Sequence, residues 1–139
     1  MSDWNDSMIA EFRENNGTTG TFGRGMILMH TTGAKSGEER LVPVVGFPQG
    51  GGWLVTASAG GAPRHPDWYY NLTTNPDFPV DVAADGDGID TVNVKASEIT
   101  DNSAYDSAWS TITTAAPSFL EYPKTAEGRQ IPIFQLTKV

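Results

Sequence analysis

Apolar residues recur every three to four positions in three stretches of the chain, a spacing that predicts amphipathic helices. The first stretch covers about residues 3–15, where Trp4, Met8 and Phe12 form one stripe before Asn16-Gly17 provides an end signal. This stripe would contact the protein's own core, which the spacing favours, or a membrane or partner. The other two helices are predicted after Pro66, with Trp68, Tyr69 and Leu72 on the apolar face, and at 103–115, with Tyr105, Trp109 and Ile112.

Shorter apolar runs bounded by glycine, proline and acidic or amide residues predict β-strands. The segment from Gln49 to Gly52 holds three consecutive glycines between two of these runs, which predicts a hairpin turn. Pro132 predicts an edge strand or a bulge, because proline has no N–H to give to a sheet. The pattern predicts an α+β domain with a closed, mostly antiparallel sheet. Its six strands are predicted at 26–32, 40–47, 52–58, 78–84, 89–99 and 131–136.

A glycine-rich turn between the first two predicted strands carries the clearest chemical signal. It spans residues 31–40, and its glycines, Gly33 and Gly37, are expected to offer free backbone N–H groups. Hydroxyls at Thr32 and Ser36 and two cations, Lys35 and Arg40, lie in the same segment. Because such donors together suit a phosphate or another anion, the turn predicts an anion-binding site.

Composition indicates one domain over residues 1–139 and disfavours several classes of partner. The net charge of −8 argues against binding to nucleic acid or to anionic membranes. No apolar run approaches the roughly 20 residues of a membrane-spanning helix, so we expect at most peripheral membrane contact. The polar N-terminus and the absence of cysteine favour the cytoplasm. Between Arg24 and His65, however, four cations outnumber two carboxylates, which favours a small anionic ligand there.

Side chains able to catalyse a reaction by themselves are few. The chain has two histidines and neither lies at metal-ligand spacing, so no metal site is expected. His30 shares a predicted strand face with Met26 and Leu28, which favours a histidine hydrogen-bonded at the core or the sheet edge. Neither Ser36 nor Ser58 lies in a G-x-S-x-G sequence. We therefore expect a bound cofactor to supply the chemistry while the fold supplies position and electrostatics.

Two long motifs resemble the signatures of the deazaflavin-dependent nitroreductase family. They are TTGAKSGEER at residues 31–40 and ASAGGAPRHPDWYYNL at residues 57–72, and the similarity extends through 73–76 and to Ile131-Pro132. The resemblance implies a split β-barrel that binds coenzyme F420, a deazaflavin with a phosphate and an oligoglutamate tail. It also implies transfer of a hydride from reduced F420 to a small-molecule acceptor, which is a quinone, a nitro compound or an activated double bond.

The resemblance also implies contacts with the cofactor at particular residues. The phosphate, or the start of the acidic tail, would be held by Lys35, Ser36 and Arg40, with Arg64 and His65 near the same ligand. Along the deazaflavin ring would run Val42, Pro43 and Val44, while backbone groups of Ala57 and Ser58 would line the polar edge of the ring. Trp68 and Tyr69 would form or support the wall of the ring pocket, although their spacing is equally typical of core packing.

Catalytic roles are implied only for two hydroxyls, those of Ser58 and Tyr122, placed near the ring and the acceptor. The chain departs from the family pattern at Ala59, where many members have a lysine, and at Ala116 and Phe119, where many have tyrosines in the substrate pocket. A pocket without those hydroxyls cannot hydrogen-bond to a substrate at those points, which disfavours bulky nitroimidazoles.

Two other functions are compatible with the same residues. One is a non-catalytic F420 carrier, which needs the same cations but no open pocket beside the ring. The other is an FMN-binding oxidoreductase, because FMN proteins share the split barrel. Either a monomer or a dimer is expected.

Overall fold

A computed structural model describes residues 3–20, 25–57, 65–84, 88–121 and 130–139. These residues form one sheet of seven antiparallel strands with three α-helices and a short 3-10 helix. The helices are α1 (Asp3–Glu14), α2 (Asp67–Thr74) and α3 (Asn102–Ala115), with the 3-10 helix at Pro117–Glu121. The strands are β1 (Met26–Thr32), β2 (Glu39–Val45), β3 (Phe47–Gln49), β4 (Gly52–Thr56), β5 (Asp77–Ala83), β6 (Ile89–Glu98) and β7 (Ile133–Lys138).

The sheet curls into a half-barrel with the strand order β2-β1-β5-β6-β7-β4-β3. This is the split β-barrel expected from the sequence, with one difference. The run predicted as one strand at 40–47 divides at Gly46, whose N–H donates to the Gly25 carbonyl at 2.8 Å, so the sheet has seven strands instead of six. The two halves of this run lie at the two ends of the strand order, where β2 pairs with β1 and β3 pairs with β4, and the chain itself connects them at Gly46.

Glycines make the β3–β4 hairpin possible, as the sequence predicts. Gln49 pairs with Gly52, and the two residues between them, Gly50 and Gly51, have φ angles of 56° and 78°. Two consecutive left-handed residues are the requirement of a two-residue hairpin turn. Gly52 is needed for a second reason, because a Cβ at this position would lie 1.8 Å from the Leu136 carbonyl oxygen.

Of the two alternatives predicted from Pro132, an edge strand or a bulge, the edge strand is wrong. β7 lies inside the sheet between β6 and β4, and it begins at Ile133, directly after the proline. Pro132 therefore removes no N–H from a ladder, while its carbonyl accepts from the Ala57 N–H at 2.9 Å.

Three apolar clusters fill the two faces of the sheet. The largest lies in the concavity of the half-barrel and includes Met29, Leu72 and Phe134. The second packs α1 on β1, with Phe12 fully buried against Met26 and Leu28, so Met8 and Phe12 of the predicted stripe contact the protein's own core. The third holds α3 against β4 and β7.

The antiparallel register gives the half-barrel two distinct ends. At one end, here called the turn end, β1 passes into β2 through residues 33–38, and β4 and β6 finish while α2 and β7 begin. The opposite end contains Gly46 and the β3–β4 hairpin. None of the described helices is both long and apolar enough to cross a membrane.

Candidate functional site

The turn of residues 33–38 is built by its own backbone hydrogen bonds. The Gly33 N–H donates to the Glu38 carbonyl at 2.8 Å, and the Gly37 N–H donates to the Gly33 carbonyl at 3.0 Å. Gly37 has a φ of 71°, a conformation that costs glycine little. The expectation that these two N–H groups are free for an anion is therefore wrong, because a compact turn uses its own amides first.

The charged side chains of the turn remain accessible. Lys35, Ser36 and Arg40 are all exposed at the turn end of the half-barrel. The Arg40 guanidinium lies 3.3 Å from the Glu38 carboxylate, with the Arg40 side chain 50% exposed. The Ser36 hydroxyl oxygen accepts from the Glu38 N–H at 3.2 Å, so it stiffens the turn. Among the residues that the structure describes, no carboxylate pairs with Lys35, whereas the charge of Arg40 is partly offset by Glu38.

Helix α2 and the residue after it hold this turn through two asparagine side chains. The Asn71 side-chain oxygen accepts from the Ala34 N–H at 2.9 Å, across a separation of 37 residues. One helical turn further on, the Asn75 amide lies 3.4 Å from the Thr32 carbonyl oxygen. The sequence reasoning missed both asparagines. The available signal was the position of Asn71 in the second motif and of Asn75 in the similarity that extends through 73–76, but nothing in the chain says which backbone group each of them contacts.

Alternation along β2 divides the three residues expected beside the ring. Val42 and Val44 pack on the apolar cluster of the concavity. Pro43 is buried and, by the period-two geometry of a strand, directs its side chain to the other face. Ala57 is fully buried at the end of β4, and its N–H is engaged by the Pro132 carbonyl. Val42 and Val44 thus lie on the face of β2 that borders the concavity.

The start of α2 carries an aromatic group. His65 stacks on Tyr69 with ring centroids 4.3 Å apart, and Tyr69 packs against Phe134 at 5.7 Å. Trp68 also packs against Phe134, at 6.1 Å. Trp68 and Tyr69 therefore pack on the core, as their spacing predicts, and they support the wall of the concavity.

Tyr69 also makes a polar contact that the sequence did not reveal. Its hydroxyl donates to a carboxylate oxygen of Glu98, at the end of β6, over 3.0 Å. Burial raises the pKa of Tyr69 above its ordinary value, and the hydrogen bond to Glu98, the charge of the Glu98 carboxylate and the neighbouring Tyr70 raise the pKa further. The phenol consequently keeps its proton at neutral pH and acts as a hydrogen-bond donor.

His30 is a bonded histidine, as expected. Its Nε2 lies 2.8 Å from the Asp81 carboxylate and its Nδ1 lies 3.5 Å from that of Glu39. Over the described parts of the chain, no group of three or more histidine and acidic residues is placed to hold a metal ion.

Three predicted site residues, Ser58, Arg64 and Tyr122, lie outside the described residues, as does Ala59.

Several known proteins are similar to this chain in sequence. The sequence profile of a family described as F420H2-dependent quinone reductase matches residues 4–138. An F420H2-dependent quinone reductase of Mycobacterium tuberculosis strain H37Rv is 30% identical over 112 residues, which are 81% of this chain and 72% of the relative.

Two solved structures are also similar. An F420H2-dependent reductase called FDR-A has a TM-score of 0.67 and 35% identity, covering 81% of this chain and 94% of its own. A domain-swapped dimer has a TM-score of 0.68 and 33% identity, covering 96% of this chain and 97% of its own. The matched profile spans both motifs and every described strand, and the chain belongs to the F420H2-dependent quinone reductase family.

Proposed function

We propose that this protein is an F420H2-dependent reductase whose acceptor is a quinone, and that residues 1–139 form one F420-binding domain. The observation that carries the proposal is a cationic turn at the turn end of the half-barrel, from which β2 runs as an apolar strand towards the opposite end. Lys35 and Arg40 lie at that end, and β2 leads from Arg40 directly to Val42 and Val44.

The residues present fit F420. Its phosphate and acidic tail need exposed cations, which Lys35 and Arg40 supply in a chain that is acidic elsewhere. Its flat ring needs an apolar surface, which Val42 and Val44 supply. Because the Gly33 and Gly37 amides are already bonded, the side chains of Lys35, Ser36 and Arg40 would make the polar contacts.

The chemistry divides between cofactor and chain. Reduced F420, when bound, supplies a hydride, and this hydride together with one proton converts a quinone into a hydroquinone. The chain binds the cofactor, holds the acceptor beside the ring and excludes water. We assign the proton-donating hydroxyls to Ser58 and Tyr122, on the strength of their places in the family resemblance.

A quinone is favoured over a bulky nitro compound for two reasons. The matched family is described as F420H2-dependent quinone reductase, and the similar M. tuberculosis protein has the same name. In addition, Ala116 and Phe119 lack the hydroxyls that a nitro group would accept from. Phe119 instead packs edge-on against Phe47, with ring centroids 5.7 Å apart.

Binding of two cofactors tests this function. We expect purified protein to bind F420 with a dissociation constant of about 1 µM or tighter, and FMN at least about tenfold more weakly, because FMN lacks the acidic tail. Fluorescence titration of each chromophore measures both constants. Comparable affinity for FMN and F420 would favour the FMN oxidoreductase instead.

Acceptor-dependent turnover separates a reductase from a carrier. We expect menadione to oxidise F420H2 in the presence of the protein. The return of the deazaflavin absorbance measures this oxidation. Tight F420 binding without oxidation by any quinone, nitroaromatic or enone would identify a carrier.

We propose further that the protein is dimeric, which the similar domain-swapped dimer supports. We also propose that it acts in the cytoplasm, which its acidic, cysteine-free sequence supports.

A further inference from the structure

The end of the half-barrel opposite the cationic turn opens into a cavity that none of the roles above uses. This cavity, here called the mouth, has a volume of about 350 Å³. Every strand except β2 contributes to its lining, and Gly46 joins the lining where the chain passes from β2 to β3. The mouths of β-barrels are frequent binding places for small molecules, and this volume accommodates a ligand of one or two fused rings.

The lining of the mouth is mainly apolar. Ile27, Val82 and Val92 line it where they meet the apolar cluster of the concavity, and the half-buried Trp53 ring lines it from β4. A Cβ at Gly46 would lie 3.1 Å from Ile27 and 3.2 Å from the Trp53 ring, so the glycine leaves both side chains in place. Such a lining favours a ligand with a compact apolar body.

A lysine ammonium is positioned at the edge of the mouth. The Nζ of Lys138, an exposed residue of β7, lies 5.4 Å from the centroid of the Trp53 ring. Because a cation is attracted to an aromatic face, this contact biases the long side chain towards the mouth. Within the described part of the chain, no carboxylate forms an ion pair with Lys138. The ammonium can therefore donate to a carboxylate that enters the mouth.

The carboxylate that lines the mouth lies away from this lysine. Lys138 is opposite Val94 in the pairing of β6 with β7, and Asp90 lies four residues before Val94, so roughly 13 Å of strand separates the two positions. Asp90 is exposed, and over such a distance water and salt screen most of its effect on an anion at Lys138. A second negative charge at the far end of the same ligand would lie closer to Asp90 and be repelled.

We propose that the mouth binds a small aromatic monocarboxylate, with the carboxylate at Lys138 and the ring against Trp53 and the apolar lining. An aromatic body is favoured because a rigid ring makes edge contacts with an indole and loses little conformational freedom on binding. The site goes beyond the proposed reductase function, since the cations assigned to F420 lie at the other end of the half-barrel.

An NMR titration without F420 locates the ligand and measures its affinity. The probe is 2-naphthoate, and we expect the Trp53 indole N–H and the amides of Ile27 and Val92 to shift most, with a dissociation constant below about 1 mM. The uncharged 2-naphthamide should bind at least about fivefold more weakly. Shifts concentrated at the turn end, or equal affinity for the two compounds, would overturn the proposal.

Lys138→Gln tests the ammonium and keeps a polar side chain. We expect the dissociation constant of 2-naphthoate to rise about fivefold to 20-fold, and that of 2-naphthamide to change less than about twofold. Lys95→Gln is the matched control, because this exposed lysine of β6 alternates with Val94 and Ala96 and so points away from the concavity. An equal loss in both variants would show an effect of net charge alone and refute the contact with Lys138.

A dicarboxylate tests the limit to one charge. Naphthalene-2,6-dicarboxylate should bind at least about threefold more weakly than 2-naphthoate, and Asp90→Asn should remove most of this difference. Equal binding of the two acids to the unsubstituted protein would overturn the restriction to monocarboxylates.

Competition with F420 tests whether the site is separate. Saturating F420 should leave the affinity for 2-naphthoate unchanged, whereas displacement of one ligand by the other would assign the mouth to the cofactor and overturn the proposal. Since the naphthoate titration needs no cofactor, a failure of the proposed reductase function would leave its result intact.

Discussion

At the scale of single residues, the two cations of the turn are not equivalent. Arg40 lies 3.3 Å from Glu38, so part of its charge is already compensated, and its own carbonyl accepts from the Thr31 hydroxyl at 2.9 Å. Lys35 is exposed on the same turn. An anion arriving at the turn would therefore meet Lys35 first and would compete with Glu38 for Arg40.

Replacing either cation by alanine should weaken F420 binding. A hydrogen bond to a charged group contributes about 1.5–3 kcal/mol, so we expect the dissociation constant to rise about 10- to 150-fold. Lys35→Ala should give the larger rise, because Arg40 is shared with Glu38. Titrations at two salt concentrations should show a weaker salt dependence in both variants than in the parent.

The control for charge alone is Arg13→Ala, which removes an exposed cation from the end of α1. Its dissociation constant should match that of the parent. If the Lys35→Ala/Arg40→Ala double variant retained full affinity, the phosphate would have to bind away from this turn.

At the scale of elements, α2 does more than cover the sheet. It has eight residues, and Leu72 buries its apolar face in the concavity. Its polar contacts reach in two directions, to the turn through Asn71 and to β6 through Tyr69. A short helix held on both sides in this way links the cationic turn to the end of β6.

Asn71 should influence cofactor binding through the turn. Asn71→Leu keeps the size of the side chain but removes the acceptor for the Ala34 N–H, so we expect F420 to bind about fivefold to tenfold more weakly, corresponding to the net value of about one hydrogen bond. Thr74→Leu, at an exposed position of the same helix, is the control.

A double-mutant cycle distinguishes positioning from general destabilisation. If Asn71 acts by holding the turn, Asn71→Leu should weaken binding much less in a Lys35→Ala background, because the contact that it positions is already lost. Additive losses would show that Asn71 affects binding by another route.

At the scale of the whole molecule, the sheet depends on a close approach of β4 to β7. Gly52 pairs with Thr137, and only the absence of a side chain allows the Leu136 carbonyl to lie where it does. The obstructing atoms belong to the backbone of an interior strand, so they cannot move without disturbing β6 as well.

Gly52→Ala should therefore destabilise the fold strongly. We expect the free energy of unfolding to fall by at least about 2 kcal/mol, as for other substitutions that overpack a core. Urea unfolding followed by tryptophan fluorescence measures the change. Gly20→Ala, whose added Cβ would meet its nearest neighbour at an ordinary 3.5 Å, should change stability little. A Gly52→Ala protein as stable as the parent would show that β7 can shift away from β4.

The sequence by itself determined the elements and the chemistry available to them. Periodicity placed α1 and α3 to within a residue of their observed bounds, because an amphipathic stripe records which face each element buries. Three consecutive glycines marked the β3–β4 turn, since few other residues adopt its backbone angles. Cations and glycines in the first motif indicated an anion-binding turn, and the resemblance of the two motifs to the deazaflavin-dependent nitroreductase family implied F420.

The tertiary structure decided which groups meet. Whether the Gly33 and Gly37 amides are free depends on how tightly the turn closes, and they proved to be bonded within it. The contacts Asn71 to Ala34 and Tyr69 to Glu98 join residues 37 and 29 positions apart, and no local pattern encodes such pairs. The position of β7 inside the sheet likewise follows from pairing between distant strands, which is why Pro132 misled the prediction. Local sequence specifies which elements form, whereas the positions of groups around a site depend on long-range packing that only the folded chain reveals.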